Sequence, residues 1–426
     1  MVRSRQPYFE GVFASFANRL TLHSGINLHT LAFLRYATRS NFRVAGIHHT
    51  LSYPFHTQYF LQVGASGLSE DDILFASSRA SKSVLHNMFA ELGAHLTTPS
   101  WPTLVLQPLG VDLARFRPID KEVARSAIGL PLDRPILLWV GRLSSYDKLD
   151  LTVLLDSLDA VPDAVLVIQG KETEPDYFWR MVHMRGLAGR IVPRSLDRNS
   201  MALLYSASDV LVAPADSVQE CFGLVVAEAL ACGTPVVASD WDGYRDLVRS
   251  GESGWLCATH WDVGASHVAP MVPFVPNGLG HALLASSVHM DRQYLTAKVS
   301  ELLGDSTARR VMSTAARKSA EAFGWERVVT SLETLLLRDV RTPSGEPARP
   351  PMFNIEWYRD YTSDESGCQC VPATRFDNLR PPLLDTSIRV AQDTTGEVLS
   401  SMWHRKVGEY RSSPLQFSPD GSASPS

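Results

Sequence analysis

The sequence predicts an α/β protein built on a doubly wound parallel sheet, and three features of its middle carry that reading. Short runs that are apolar almost throughout recur at Pro135–Val140, Ala164–Ile168, Asp209–Ala213 and Thr234–Ala238. The first three stop at a breaker: Gly141, Gly170 after Gln169, and Pro214. Stretches of helical pattern separate them at Leu149–Leu158, Ser200–Ser208 and Phe222–Cys232, the last ended by Gly233. Strands without polar alternation are strands covered on both faces, and helices of about ten residues between them are the crossovers of βαβ units.

The N-terminal part alternates in the same way, less cleanly. Arg43–Ile47 is a strand leading into His48-His49-Thr50. Asp72–Ala76 is a second strand, followed by Ser77-Ser78 and a helix through Met88. Thr103–Leu106 is a third, closing on Pro108-Leu109-Gly110. Residues 1–40 read as mostly helical, with no strand. Val299–Leu303 and Ala308–Leu337 read as helices that end the folded body. Residues 341–426 hold ten of the 26 prolines and finish in Ser/Pro-rich sequence, an irregular extension by composition, with aromatic clusters at Phe353–Tyr361 and Met402–Tyr410. Thr259–Ala297 is rich in Pro, Gly and His and has no assigned element. Three segments result: 1–109, 110–340 and 341–426.

Composition narrows the function classes. With 426 residues, 45% hydrophobic and 20% charged, the chain has ordinary globular usage spread over two or three domains. A net charge of -5 argues against nucleic acid as a partner. No apolar run reaches the roughly 18–20 residues that span a bilayer, and Met1–Pro7 has basic residues with no apolar segment behind them, so a cytoplasmic location is expected. Five cysteines, an odd and sparse set, fit a reducing compartment. Cys368-Gln-Cys370 lacks a second Cys/His pair at metal spacing and reads as a loop pair rather than a zinc site. Residues 1–109 carry a surplus of three positive charges against a net of eight negative in the rest. That surplus suits an anionic acceptor or peripheral contact with a membrane surface, and suits plain scatter equally.

Ligands of an open parallel sheet bind beyond the carboxyl ends of its strands, so four strand ends are the places to look. At Gly141-Arg142-Leu143, with Lys148 opening the next helix, a fork donor and a point charge suit a diphosphate; the alternative is two solvated surface cations. At Asp216–Glu228 a helix starting near Phe222 turns its free N–H groups and positive end to the cleft, and Gly223 permits close approach. Glu220 in the loop and Glu228 two turns along the helix can both reach one ligand's hydroxyls. Glu228 stands among Val225, Val226, Ala227, Ala229, Leu230 and Ala231, a setting in which a glutamate is partnered or functional. Asp240-Trp241-Asp242 is a D-x-D triplet, short enough to read as an Asp-Gly turn with Gly243, and metal binding is not expected there. His48-His49, after an N-terminal strand, is divided evenly between a sugar-binding and a structural histidine.

Together these residues resemble family 4 of the retaining glycosyltransferases. The resemblance rests on Leu109–Pro118, on Val140-Gly141-Arg142-Leu143 with Lys148, and on the Glu220-x7-Glu228 motif inside the phrase Glu220–Ser239. Gly251–Leu256 and Trp325–Val329 extend it. It covers roughly residues 43–337. The resemblance implies a GT-B fold, two Rossmann-like doubly wound domains facing a cleft: 1–109 on the acceptor side, here shortened and without a Gly-Gly loop (Glu10-Gly11 and Ser24-Gly25 are poor substitutes), and 110–340 holding a nucleotide sugar. It implies that Arg142 and Lys148 neutralise the leaving diphosphate, that Glu228 binds the ribose hydroxyls, and that Glu220 holds the donor sugar with backbone N–H groups at Phe222, Gly223 and Leu224. His49, or His48 in the alternative register, would match the N-terminal active-site histidine. Gly141, Gly170 and the segment Pro193–Leu196 would lie along the donor and near its base. Neither metal nor cofactor is required. The donor is a co-substrate, a UDP-sugar by preference, and the acceptor a lipid, glycan or small metabolite. The alternative is a non-catalytic nucleotide-sugar-binding or scaffold relative with an incomplete N-terminal domain.

Overall fold

A computed structural model describes residues 21–24, 27–38, 42–48, 50–52, 55–143, 151–170, 176–218, 220–262, 265–275 and 277–336. Nearly all of these lie in one compact unit, Asn18–Tyr36 with Phe42–Pro351; the other unit, Met1–Ala17, Ala37–Asn41 and Met352–Ser426, falls almost wholly outside them.

The first half of the unit is a four-stranded parallel sheet in the order β1 (Thr21–Ser24), β2 (Arg43–Ile47), β3 (Ile73–Ala76), β4 (Thr103–Leu106). The connections are α1 (Leu28–Thr38), α2 (Phe55–Gly64) and α3 (Arg79–Gly93). β1 corrects the expectation of no strand before residue 40. Its sequence, Thr-Leu-His-Ser, is four residues long and lies at a sheet edge, where a strand needs no apolar signature.

After α4 (Lys121–Ile128) comes a six-stranded parallel sheet in the order β10-β9-β8-β5-β6-β7. Its strands are β5 (Ile136–Val140), β6 (Val165–Gln169), β7 (Ile191–Arg194), β8 (Val210–Ala213), β9 (Val236–Ser239) and β10 (Gly254–Cys257). The helices between them are α5 (Thr152–Ala160), α6 (Asp176–Met184), α7 (Met201–Ala207), α8 (Leu224–Ala231) and α9 (Tyr244–Leu247). The order reverses at β5/β8, the doubly wound topology expected from the apolar runs. β5, β6, β8 and β9 are buried almost throughout, with one core layer on each sheet face. β7, with Pro193 inside it, had no strand signal and occupies the sheet edge, where a missing N–H is tolerated.

The segment after Cys257 forms an antiparallel pair, β11 (Thr259–Trp261) with β12 (Val288–Met290), around α10 (Ala265–Val268), a 3-10 stretch Ala269–Phe274 and α11 (Asn277–Ala285). Then follow α12 (Arg292–Gly304), α13 (Ser306–Ala320) and α14 (Trp325–Leu336). The single helix expected at 308–337 is two. The chain breaks at Gly324 because Val111 intervenes: its N–H donates to Phe323 O (2.8 Å) and its carbonyl accepts from Trp325 N (3.2 Å). Past that break α14 crosses to the first sheet, where Leu332, Leu335 and Leu336 cover Ala45, Ile73 and Phe75, and Arg43 donates to Leu335 O (2.7 Å).

Each sheet is pinned at its amino-terminal ends by one buried aspartate. Asp72, before β3, accepts both guanidinium nitrogens of Arg35 on α1 (2.8 and 2.9 Å) and the N–H of Val44 on β2 (2.8 Å). Asp209, before β8, accepts from Arg125 on α4 (2.7 Å), Lys121 (2.6 Å) and the N–H of Ile136 on β5 (2.7 Å), with Arg309 of α13 at 3.3 Å. Burial alone would raise the pKa of Asp209; Lys121, the Ile136 N–H and Arg125 outweigh it and hold the carboxyl below its ordinary range.

Asp209→Ala leaves the Arg125 guanidinium buried without its carboxylate, so a loss of about 3–5 kcal/mol is expected in urea unfolding at pH 7. Because the carboxyl's pKa falls on folding, the wild-type advantage is present above the unfolded value of 3.8 and shrinks as the pH drops below it. An unchanged urea midpoint at pH 7 would remove Asp209 from this role.

Candidate functional site

The carboxyl ends of both sheets open on one cavity of about 730 Å³. From the first sheet come His48, Thr50 and Ser77; from the second come Trp139 to Arg142, Gln169, Gly170, Ala213, Ala215 and Glu220 to Val225, with Met201 and Tyr244.

Its floor is bare backbone, for a steric reason. The turns after β5 and β6 touch: Gly141 N–H donates to Gln169 O (2.9 Å), and a Cβ on Gly170 would run into the Gly141 carbonyl oxygen. A Cβ on Gly141 would meet the Trp139 ring at 2.9 Å. Both strands therefore end in glycine, and a ligand can lie against main chain. Arg142 is exposed beside this floor. The expected base-side segment sits behind it, with Leu196 exchanging two hydrogen bonds with the Gln169 amide (2.9 and 3.1 Å).

One wall is the start of α8. The helix begins at Leu224, two residues later than expected, and no side chain caps it. Gly223 holds φ 94°, a left-handed conformation that glycine adopts without strain, and a Cβ there would stand 2.5 Å from the Tyr244 ring. The loop leading in is tied down by Ser239 Oγ to Ala215 O (2.7 Å) and Trp241 Nε1 to Ser217 O (3.0 Å). First-turn N–H groups without a cap and the positive end of the helix dipole are thus presented to the cavity, an anion-binding arrangement.

The two glutamates are each held by a buried tyrosine. Tyr205 Oη donates to Glu228 Oε2 (2.9 Å) and Tyr244 Oη to Glu220 Oε2 (3.3 Å). Glu228 is half-buried, one helical turn beyond the cavity-lining Leu224. Burial pushes its pKa up; the Tyr205 hydroxyl and the cations Arg198 and Arg115 pull the other way. Neither tyrosine was singled out in the sequence. A signal existed for Tyr205, since a phenol in an apolar helix against a buried sheet requires a hydrogen-bond acceptor.

His48 is buried, and its Nε2 accepts the Ser77 N–H (3.3 Å), so the β3–α3 turn orients the ring in the cavity wall. His49 and Lys148 lie outside the described residues, as do Gly11, Gly25, Cys368 and Cys370. Glu220, Arg142, Gly141, Gly170, Phe222, Gly223 and Leu224 are brought together; Glu228 adjoins them one turn deeper.

The D-x-D triplet has other partners. Asp240 pairs with Arg245 (3.1 Å). Asp242, at φ 39°, accepts from Ser78 Oγ (2.9 Å), and Asp246 accepts the Arg79 N–H (2.7 Å). Both carboxylates thereby sit at the start of α3, and Ser77 Oγ donates to Cys221 O (3.3 Å) beside them. Burial, followed by the nearby Glu220 and Asp246 charges, pushes Asp242 up to about 7 against the Ser78 hydrogen bond.

Residues 120–269 match the family model described as glycosyl transferases group 1. Over 234 residues the chain is 34% identical to D-inositol 3-phosphate glycosyltransferase of Mycolicibacterium gilvum, a match covering 52% of this chain and 51% of that protein. A second match, 39% over 163 residues, is to D-inositol 3-phosphate glycosyltransferase 2 of Catenulispora acidiphila and covers 35% and 38%. The chain thus spans about half or less of the length of the curated relatives it matches. Among solved structures, sucrose-phosphate synthase from Thermosynechococcus elongatus aligns with TM-score 0.54 at 21% identity, over 78% of each chain. Anabaena HepE in complex with UDP aligns with TM-score 0.55 at 19% identity, over 78% of this chain and 82% of that one. The fold is GT-B, and the curated relatives are glycosyltransferases.

A carboxyl whose pKa rises on folding binds protons on folding, so Asp242 makes the folded chain lose stability as pH climbs from 3.8 toward about 7. Asp242→Asn keeps an acceptor for Ser78 and cannot ionise. Its thermal midpoint should match wild type near pH 4 and exceed it at pH 8; a constant difference across that range would exclude the titration.

Proposed function

We propose that this protein moves a sugar from a nucleoside-diphosphate sugar, with UDP the expected carrier, to a hydroxyl of a lipid, glycan or small metabolite, with retention at the anomeric carbon and without a metal ion or cofactor. The observation that carries this reading is the convergence of an uncapped helix start, a glycine-floored turn bearing Arg142, and Glu220 on one cavity beyond the strand ends. Support also comes from the group 1 glycosyltransferase match over residues 120–269, which spans the Glu220-x7-Glu228 phrase.

In this reading the diphosphate lies on the Gly141–Arg142 turn against the N–H groups of Phe222, Gly223 and Leu224, which meet charge as it develops on the leaving phosphate. Arg142 and Lys148 add cationic charge there. Glu228 accepts from the ribose hydroxyls, and Glu220 holds the donor sugar. His48 or His49 meets the sugar from the first sheet. The donor phosphate takes the acceptor's proton on the face from which it departs, so the new bond forms where the old one breaks and the configuration is kept.

Calorimetric titration with UDP, GDP and ADP is the deciding test. UDP should bind the wild type and lose about tenfold or more in affinity in Glu228→Ala, the cost of a charge-assisted hydrogen bond. Arg142→Ala and Lys148→Ala should each lower transfer from a UDP-sugar by about 10²-fold with unchanged unfolding midpoints. Wild-type transfer in these variants removes the assignment, and nucleotide binding without transfer to any acceptor favours the non-catalytic alternative.

A further inference from the structure

Glu228 accepts a hydrogen bond from a buried tyrosine of the neighbouring helix. Tyr205 is fully buried on α7, one turn after Met201, which lines the cavity. Its ring packs edge-on to Phe116 (centroids 6.1 Å apart), and its carbonyl accepts the Thr234 hydroxyl (2.8 Å). Ring and backbone are both held, so the hydroxyl has a fixed position, and at that position it meets Glu228 Oε2 at 2.9 Å. Tyr205 remains a donor at any working pH, because burial first and the Glu228 charge second raise its pKa well above 10.

We propose that Tyr205 is a positioning residue of the nucleotide site: its hydroxyl claims one oxygen of Glu228, fixes the carboxylate's rotamer, and turns the other oxygen to the ribose hydroxyls. The proposal rests on the assignment of Glu228 to the ribose. Geometry supplies the reason for a tyrosine. A carboxylate on an apolar helix, half out of water, needs donors to stay ionised, and a lone ligand hydroxyl pair arriving from one side leaves the far oxygen unsatisfied. The phenol, fully buried and outside the cavity lining, meets that need from within the core. Arg115 and Arg198 act on Glu228 through charge only, and Arg115 is engaged with Asn199 Oδ1 (2.8 Å). Glu220 likewise accepts from a phenol, that of Tyr244, which lines the cavity with it (3.3 Å).

The test is ribose discrimination, read as the ratio of affinities for UDP and 2′,3′-dideoxy-UDP by calorimetry. Tyr205→Phe keeps the ring and removes the hydroxyl. UDP affinity should fall about tenfold while the dideoxy affinity stays, so the ratio collapses toward that of Glu228→Ala. The UDP affinity of Tyr205→Phe should also fall more steeply than wild type between pH 7 and pH 5, since the lost hydrogen bond is one that favours the ionised form. A purely structural tyrosine predicts equal weakening of both ligands and an unchanged ratio, which overturns the proposal. A ratio unchanged in Glu228→Ala overturns the ribose reading of Glu228 and the proposal with it. Should Tyr205→Phe fail to fold, Glu228→Gln decides. With Tyr205 holding the amide oxygen, the NH₂ faces the ribose and can only donate to its hydroxyl oxygens, a neutral contact in place of a charge-assisted one, so discrimination falls between the wild-type and Glu228→Ala levels; wild-type discrimination in Glu228→Gln overturns the proposal.

Discussion

Two carboxylates that never meet a ligand hold the frame in which ligands are met. Asp72 and Asp209 each sit one residue before a strand, accept the N–H of a neighbouring strand, and neutralise an arginine arriving from a helix. One such group fixes three things at once: the level of two adjacent strands and the helix that covers them. Breaking either pair would strand a buried charge, which makes the arrangement all-or-none. The pins lie at the amino-terminal ends, and the cavity is built at the opposite ends, from turns and backbone.

Those turns allow close approach. The touching turns after β5 and β6 exclude side chains from the floor, and the ring of Tyr244 under Gly223 excludes one from the helix start. Among the described residues, a ligand there meets main-chain amides, the exposed Arg142 and the carboxylate of Glu220, with Glu228 one turn deeper; each glutamate accepts from a phenol. Burial of Glu228 raises the cost of its charge, and Tyr205 offsets part of that cost, so the packing of α7 against α8 is linked directly to the protonation state of a proposed binding group.

The D-x-D triplet belongs to the same frame. Read along the chain it is an Asp-Gly turn, and the structure has a turn at Asp242-Gly243. In the fold, Asp242 and Asp246 face the amino terminus of α3, where Ser78 and Arg79 donate to them, and Asp240 turns to Arg245. Asp246 accepts the first free N–H of that helix, while Asp242 meets it through the Ser78 hydroxyl and has its charge opposed by burial. The triplet therefore joins the loop after β9 to the helix after β3, next to the cavity that both sheets line.

Most of the second sheet was legible in one dimension, because a strand covered on both faces must be apolar at nearly every position and must end where a turn begins. Edge strands escaped that logic: among the described residues β1 and β7 pair with a neighbouring strand on one side only, and such strands need no continuous apolar run. The break of the last helix at Gly324 was hidden too, since it answers to Val111, more than two hundred residues earlier in the chain. Local sequence determined the doubly wound architecture, the glycine turns and the two glutamates, because those depend on burial and backbone freedom within a few residues. Tertiary structure decided which groups stand behind them. Tyr205, Tyr244, Ser78 and the pinning arginines are ordinary residues in the sequence, and only packing brings their hydroxyls and guanidinium groups within hydrogen-bond distance of a carboxylate.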